Sequence, residues 1–364
     1  MSKILLVEPF FSGSHRSWAL QFQKNSSHNI EILSLPGKFW KWRMYGGAYT
    51  LAEAYLKLDY EPDIILATDM IDLSTFVALI RHKLNHTKVY LYFHENQLEY
   101  PWQEDGEDKK QNRDVHYGFM NYTSALVADK VLFNSHHNMN SFYGHMRRLL
   151  KAMPDCRHKT VDGLYDKSEV LPIGIHLKHH DVKIDLPYQG QAPLILWNHR
   201  WEFDKNPDDF FKALIELREE GLDFKLALLG EVYENAPESL IHAMDYFKDD
   251  ILITGFMTKE TYSSWLQASD ILPVTSYHDF FGISVMEAIY MDTYPLLPNR
   301  LTYPDLYDIK SHPEIFYETY EEFVIKLRQA ITTKNRKSYR HMCLAYDWDT
   351  IIKTYDACFE KVEL

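Results

Sequence analysis

Short apolar runs rich in Ile, Leu and Val recur along the chain, at 3–7 (KILLV), 30–35, 63–67 (DIILA), 88–93 (KVYLYF), 130–133 (KVLF) and 169–173. An unbroken apolar run, unlike an alternating one, is what a strand buried on both faces of a parallel sheet requires. Helical spacing between these runs predicts helices near 14–24, 73–84, 117–127 and 136–151. The series then restarts. Strands are expected at 193–197 (PLILW), 223–229, 250–253, 270–274 and 293–297, with helices at 207–220, 238–247, 258–267 and 283–291. Between the two series stands the turn-rich segment PYQGQAP, 187–193. Two such series predict two doubly wound α/β domains facing each other across a central cleft, one over 1–185 and one over 186–344. The stretch 103–114 (QEDGEDKKQNRD) has no apolar residue and predicts a surface loop.

Composition narrows the class. Of 364 residues, 46% are hydrophobic and 15% aromatic, enough for sizeable cores and too much for a disordered chain. Lys and Arg number 39 against 52 Asp and Glu, a net charge of −13 that argues against a general nucleic-acid coat protein. The imbalance is uneven. Residues 1–180 carry 21 basic and 20 acidic side chains, leaving 18 against 32 beyond, so the two domains are expected to take different ligands. Cys156, Cys343 and Cys358 form no CxxC pair, which excludes a disulfide scaffold and a zinc ribbon. Glu8 and Pro9 interrupt the first apolar run too early for a signal peptide, and no run approaches a spanning helix. The expectation is a soluble, cytoplasmic protein.

In open α/β sheets ligands bind beyond the carboxyl ends of strands, so the segments that follow the strands carry the candidate chemistry. After the first comes EPFFSGSH (8–15), where Gly13 permits close backbone approach and Ser14 and His15 offer amides at a helix start; an ordinary strand-to-helix turn reads the same way. After the fourth comes HENQLEYP, in which His94, Glu95, Asn96 and Gln97 suit a polyol, or cap a helix. After the first strand of the second series, Arg200 and Lys205 precede the helix that Pro207 opens and could neutralise a diphosphate, or be a solvated pair. The richest segment is TSYHDFFGISVMEA (275–288). Asp279, Phe281, Gly282 and the amides of Ile283 and Ser284 stand at a helix start, and Glu287 lies two turns in among apolar neighbours, where it could accept both hydroxyls of a ribose or be a surface helix residue.

Together these segments resemble glycosyltransferases of the GT-B architecture, family-4 type, whose E-x7-E signature with F-G-[IL] inside it is met here as D-F-F-G-I-S-V-M-E, 279–287. Asp279 stands for the usual first glutamate, and Met291-Asp292 where relatives often carry a small residue and glycine. The segments EPFFSGSH, LPGKFWKWR, YFHENQLEYP, HYGF, VLFNSHHNMNSF, PDCR and HDFFGISVMEAIYMDTYPLLP resemble more closely the tRNA-queuosine α-mannosyltransferase family. That resemblance implies transfer of mannose from GDP-mannose to queuosine in the anticodon loop of tRNA-Asp, with retention at the anomeric carbon.

It further implies a last helix within 345–364 that crosses back onto the first domain. Its implied donor site comprises Gly13, Ser14, His15, Arg200, Lys205, Phe281, Gly282, Ile283, Ser284 and Glu287, with His94, Asp279 and Glu287 nearest the chemistry. No metal or cofactor is expected, since no Asp-x-Asp ends a strand. For the acceptor, Glu95, Asn96 and Gln97 join two basic groups: Lys38, Lys41 and Arg43 interleaved with Phe39, Trp40 and Trp42, and Arg147, Arg148 and Arg157 within a stretch of net +4 at 136–159; a solvated helix face at 136–151 and core tryptophans read the same way. A glycosyltransferase acting on a lipid or glycan, and a non-catalytic two-lobed binding protein, stay open as alternatives; no membrane attachment is expected and the oligomeric state is not read from the sequence.

Overall fold

The computed structural model describes residues 1–99, 113–155, 157–182, 185–230, 238–333 and 336–360. Of the expected loop 103–114, residues 103–112 lie outside this set. The chain divides into two compact units, Met1–Ile175 with Trp348–Leu364, and His176–Asp347. The division falls ahead of the expected 185/186 boundary, and the second unit is an insertion into the first.

The first unit is a six-stranded sheet in the order β2-β1-β3-β4-β5-β6, formed by β1 (Lys3–Phe11), β2 (Asn29–Pro36), β3 (Ile64–Thr68), β4 (Lys88–Phe93), β5 (Lys130–Phe133) and β6 (Ser168–Val170). Every pairing is parallel, as in Ile4 opposite both Ile30 and Ile64. The longer helices are α1 (Gly13–Asn25), α2 (Trp40–Lys57), α3 (Leu73–Ile80), α4 (Arg113–Val127) and α5 (His136–Ala152). Ile4 to Val7 and Ile65 to Ala67 have no exposed surface, the two-sided burial that the apolar runs foretold.

The second unit repeats the design in the order β12-β11-β10-β7-β8-β9. It contains β7 (Leu194–Trp197), β8 (Lys225–Leu228), β9 (Ile251–Thr254), β10 (Ile271–Pro273), β11 (Tyr294–Pro298) and β12 (Phe316–Tyr317), with α6 (Pro207–Glu219), α7 (Glu238–Tyr246), α8 (Lys259–Ala268), α9 (Ile283–Tyr290) and α10 (Tyr320–Thr332). All its pairings are parallel too. Among the described residues no helix is long and apolar enough to cross a membrane.

The last helix, α11 (Trp348–Cys358), packs into the first unit. The Trp348 ring covers Gly174, where a Cβ would lie 2.5 Å from it, and the Tyr355 hydroxyl receives the Trp18 indole N–H at 2.9 Å and donates to the Pro172 carbonyl at 2.8 Å. Three of these elements go beyond the expected set. α2 was not anticipated because Gly46 and Gly47 interrupt its centre, and α10 and β12 fall after the last apolar run that stands out.

Candidate active site

In each sheet the strand order reverses once, between β1 and β3 in the first unit and between β7 and β10 in the second. Adjacent strands there send their following loops to opposite faces, which opens a crevice at their carboxyl ends. The site residues gather at both reversals.

In the second unit, Lys205 is nearly buried. Its ammonium donates to the His278 carbonyl at 2.6 Å and lies 3.1 Å from the Asp204 carboxylate and 3.8 Å from Asp279. Asp279 also accepts from the Tyr303 hydroxyl at 3.0 Å. Burial opposes its charge, but Lys205 and the neighbouring histidines and tyrosine outweigh burial and hold the carboxyl below its usual value. The Thr275 hydroxyl donates to the Lys205 and Asn206 carbonyls, locking the loop after β10 onto the loop after β7. Gly282 caps α9 with φ +78°, a left-handed turn that presents the first amides of that helix.

Glu287 is held by the Tyr262 hydroxyl at 3.0 Å, and the His180 imidazole stands 3.7 Å away. Asn198 donates to the Ser284 carbonyl at 2.7 Å, and Ser284 meets the His199 ring at 3.3 Å. Burial and then Lys205 lower the His199 imidazole to about 4, so this ring is neutral. Asn198 Oδ1, His199 Nε2 and Asp204 Oδ1 are buried with no hydrogen-bond partner among the described residues, an uncommon concentration that marks a ligand site. Arg200, more than half exposed, pairs with Glu202 at 3.2 Å. It lines a cavity of about 360 Å³ with Leu229, Phe256, Met257, Lys259 and Tyr262. A mostly apolar wall with a few convergent polar groups is suited to a nucleoside. Phe281 faces elsewhere, buried against Tyr346.

In the first unit, His94 lies under three rings, His15 at 4.3 Å, Trp18 at 4.6 Å and Tyr92 at 4.8 Å between centroids. Its amide donates to Asp69 at 2.8 Å. Burial keeps His94 neutral, whereas His15, although buried, is pushed up to about 9 by the Glu8 carboxylate 3.1 Å away. Burial and the nearby Glu95 push Asp69 up to about 8. Glu8, His15 and His94 bring potential ligand atoms within 4.8 Å of one another, the set among the described residues that could hold a metal ion. A metal ion bound there would displace the proton of His15.

Gly13 has φ +49° at the exposed start of α1, with Ser14 beside it. Asn96 is fully buried and its amide binds Asn138 and Ser141 while accepting from Leu98 and Glu99, so it shapes the loop. Gln97 donates to Glu95 at 2.8 Å. The two expected basic groups lie apart. Lys38 to Arg43 follow the carboxyl end of β2, whereas Arg147 and Arg148 sit about 16 Å down α5 from its start beside the sheet's carboxyl edge. Arg147 is paired with Asp162, and Arg157 lies exposed in the segment that follows.

Sequence reasoning passed over Glu8, Trp18 and Asp69 in the first unit and Tyr262, Phe256 and Lys259 in the second. Asp69 had a signal, a lone acid directly after the apolar run of β3; the cavity residues follow β9 without any motif.

Residues 3–175 match the family described as tRNA-queuosine alpha-mannosyltransferase N-terminal, and residues 182–342 match glycosyl transferases group 1. The chain is 33% identical over 314 residues to a Drosophila melanogaster tRNA-queuosine alpha-mannosyltransferase, covering 84% of this chain and 81% of that one. The chain belongs to the tRNA-queuosine alpha-mannosyltransferase family. Its fold is GT-B. The sucrose-phosphate synthase of Thermosynechococcus elongatus superposes with a TM-score of 0.69 at 14% identity, over 99% of this chain and 98% of that one. An E. coli trehalose-6-phosphate structure with bound UDP-2-fluoro glucose gives 0.70 at 13% identity over 100% of both chains. In this family member, then, the glycosyltransferase segment that matches the group 1 transferases contains the Lys205–Asp279–Glu287 constellation.

Proposed function

We propose that the protein transfers mannose from GDP-mannose to the cyclopentenediol of queuosine in tRNA-Asp, with retention at the anomeric carbon. The observation that carries this reading is the family membership, joined to a carboxylate, Glu287, held by Tyr262 beside a nucleoside-sized cavity. In this assignment the cavity takes the guanosine, Glu287 accepts the ribose hydroxyls and Asp279 a hydroxyl of the mannose. Lys205, Arg200 and the amides of Gly282 to Ser284 balance the charge that grows on the diphosphate as the anomeric C–O bond breaks. In the first unit, neutral His94 offers an uncharged imidazole suited to a hydroxyl, and the charged His15 with Gly13 and Ser14 offers a second anion-binding helix start. The acceptor oxygen bonds to the anomeric carbon and its proton leaves with the diphosphate.

The test is mass spectrometry of nucleosides from queuosine-containing tRNA incubated with the protein and GDP-mannose, GDP-fucose or UDP-glucose in turn. A hexose increment on queuosine with GDP-mannose alone is the expected result; no increment, or one supplied by a different donor, would overturn the assignment. Transfer is also expected to persist after exhaustive chelation, because fixed cations and amides supply the positive charge. Loss of activity that titrated Mg²⁺ or Zn²⁺ restores would contradict this.

A further inference from the structure

α2 carries an unusual outer face. Phe39 is 76% exposed, Trp42 62%, Tyr49 58% and Tyr45 43%. Trp42, Tyr45 and Tyr49 are spaced i, i+3 and i+7, so they form one stripe along the helix, and Phe39, held at φ 58° in the left-handed region, extends it at the start. A β-carbon on Gly46 would lie 2.5 Å from the Trp42 indole, so that ring lies flat over the glycine with its outer face in solvent. Two consecutive glycines weaken a helix. Gly46 is tolerated there as the seat of a ring.

The stripe does not stand alone. Lys38 and Lys41 are exposed beside it, and the Arg43 guanidinium is fixed by the Pro36 carbonyl at 3.3 Å. It also joins the site already described. Gly37 packs against Ser12, directly before the Gly13 turn, and Trp40 is anchored on Tyr117 at 5.3 Å in a cluster that includes Phe10 of β1. Exposed ring faces alternating with cations, on an element rooted at the edge of the crevice, are the chemistry of a single-stranded nucleic-acid platform: rings stack on bases while cations meet phosphates. Trp42 to Tyr49 spans about 10 Å, room for two or three bases. An anionic partner fits this basic face better than a second copy of this acidic chain.

We infer that the α2 face formed by Phe39, Trp42, Tyr45 and Tyr49 is a stacking platform for unpaired bases of the RNA loop that carries the acceptor nucleoside. This rests on the tRNA reading above, and it differs from the earlier expectation in its residues: Trp40 is an anchor, and the platform is Trp42 with the tyrosines. Arg147, paired with Asp162, and Arg148 stand on α5 and are not part of this face.

The experiment uses the full chain and an unmodified RNA hairpin with an open anticodon-sized loop, against a fully paired duplex of equal length, by fluorescence anisotropy over a salt series. The wild type is expected to prefer the hairpin. Trp42→Ala with Tyr49→Ala should weaken hairpin binding about tenfold or more with the salt slope unchanged, since stacking releases no counterions. Lys38→Ala with Arg43→Ala should lower the slope on both RNAs, and Trp42→Phe should restore most of the affinity. Gly46→Ala should lower hairpin affinity while thermal stability is kept, because the ring alone is displaced. Unchanged hairpin affinity in the folded Trp42/Tyr49 variant, or no hairpin preference in the wild type, overturns the platform. So does sedimentation showing a wild-type dimer that Trp42→Ala dissociates with RNA binding intact. Mannose transfer to queuosine tRNA is measured in parallel. Transfer without platform dependence sinks this inference alone, and platform-dependent hairpin binding without transfer sinks the proposed function alone.

Discussion

Single side chains at these two crevices carry opposing demands for charge. Lys205 stands between Asp204 and Asp279, so truncating it leaves two buried carboxylates without their cation. Removing one partner of a buried pair typically costs about 3–5 kcal/mol. Lys205→Ala is therefore expected to lower the urea midpoint sharply as well as abolish transfer, whereas Arg200→Ala, whose side chain is largely in solvent, should lose transfer with stability intact. Equal stability in the two variants would contradict the buried role of Lys205. His15 gives a pH signature. Its imidazole is raised from 6.5 to about 9, so its contribution to stability is complete below pH 6.5 and is lost as pH rises through 9. Asp69, raised from 3.8 to about 8, acts in the same direction over a lower window. Glu8→Gln is expected to flatten the decline between pH 6.5 and 9 in a urea-midpoint series, leaving the Asp69 share; an unaltered decline would place its origin elsewhere.

At the scale of elements, the turn into α9 joins sequence to chemistry. Gly282 at φ +78° lets the chain enter that helix while its Cα faces the Tyr303 ring, where an added Cβ would lie 3.2 Å away. A left-handed non-glycine residue costs roughly 1–2 kcal/mol, and here the displaced ring is the one holding Asp279. Gly282→Ala is thus expected to reduce both the urea midpoint and transfer, and a variant with normal turnover would show that the turn tolerates a side chain. The F-G-I motif around it was visible in the sequence because backbone geometry demands a particular residue there. The strands were visible for a similar reason, since KILLV and KVYLYF leave no polar face to expose. α2 stayed hidden because its buried face, Met44, Gly47, Ala48, Leu51, Ala52 and Tyr55, is half small side chains and Gly46-Gly47 weakens its centre, so tertiary contacts outweigh propensity. The Glu8–His15 pair and the Asp69 contact join residues 7 and 25 positions apart, and no local pattern encodes them.

For the molecule as a whole, the placement of α11 decides how the first unit is completed. Trp348 and Tyr355 close over Trp18 and Phe22, and Asp356 binds Ser26 and the Ser27 amide. Deleting 348–364 is expected to lower the melting of the first unit while the transition of His176–Asp347 stays in place, read by calorimetry as separating peaks. A single unshifted transition would refute the dependence. The chain leaves the first unit at Ile175 and returns at Trp348, whose amide donates to the Ile175 carbonyl at 3.0 Å. During synthesis this has a temporal meaning. The Trp18 and Phe22 surface emerges from the ribosome early but meets its cover only after the whole second unit has been translated. A stalled or prematurely terminated product would accordingly expose a greasy, unfinished face, a chaperone client in place of a half-working enzyme.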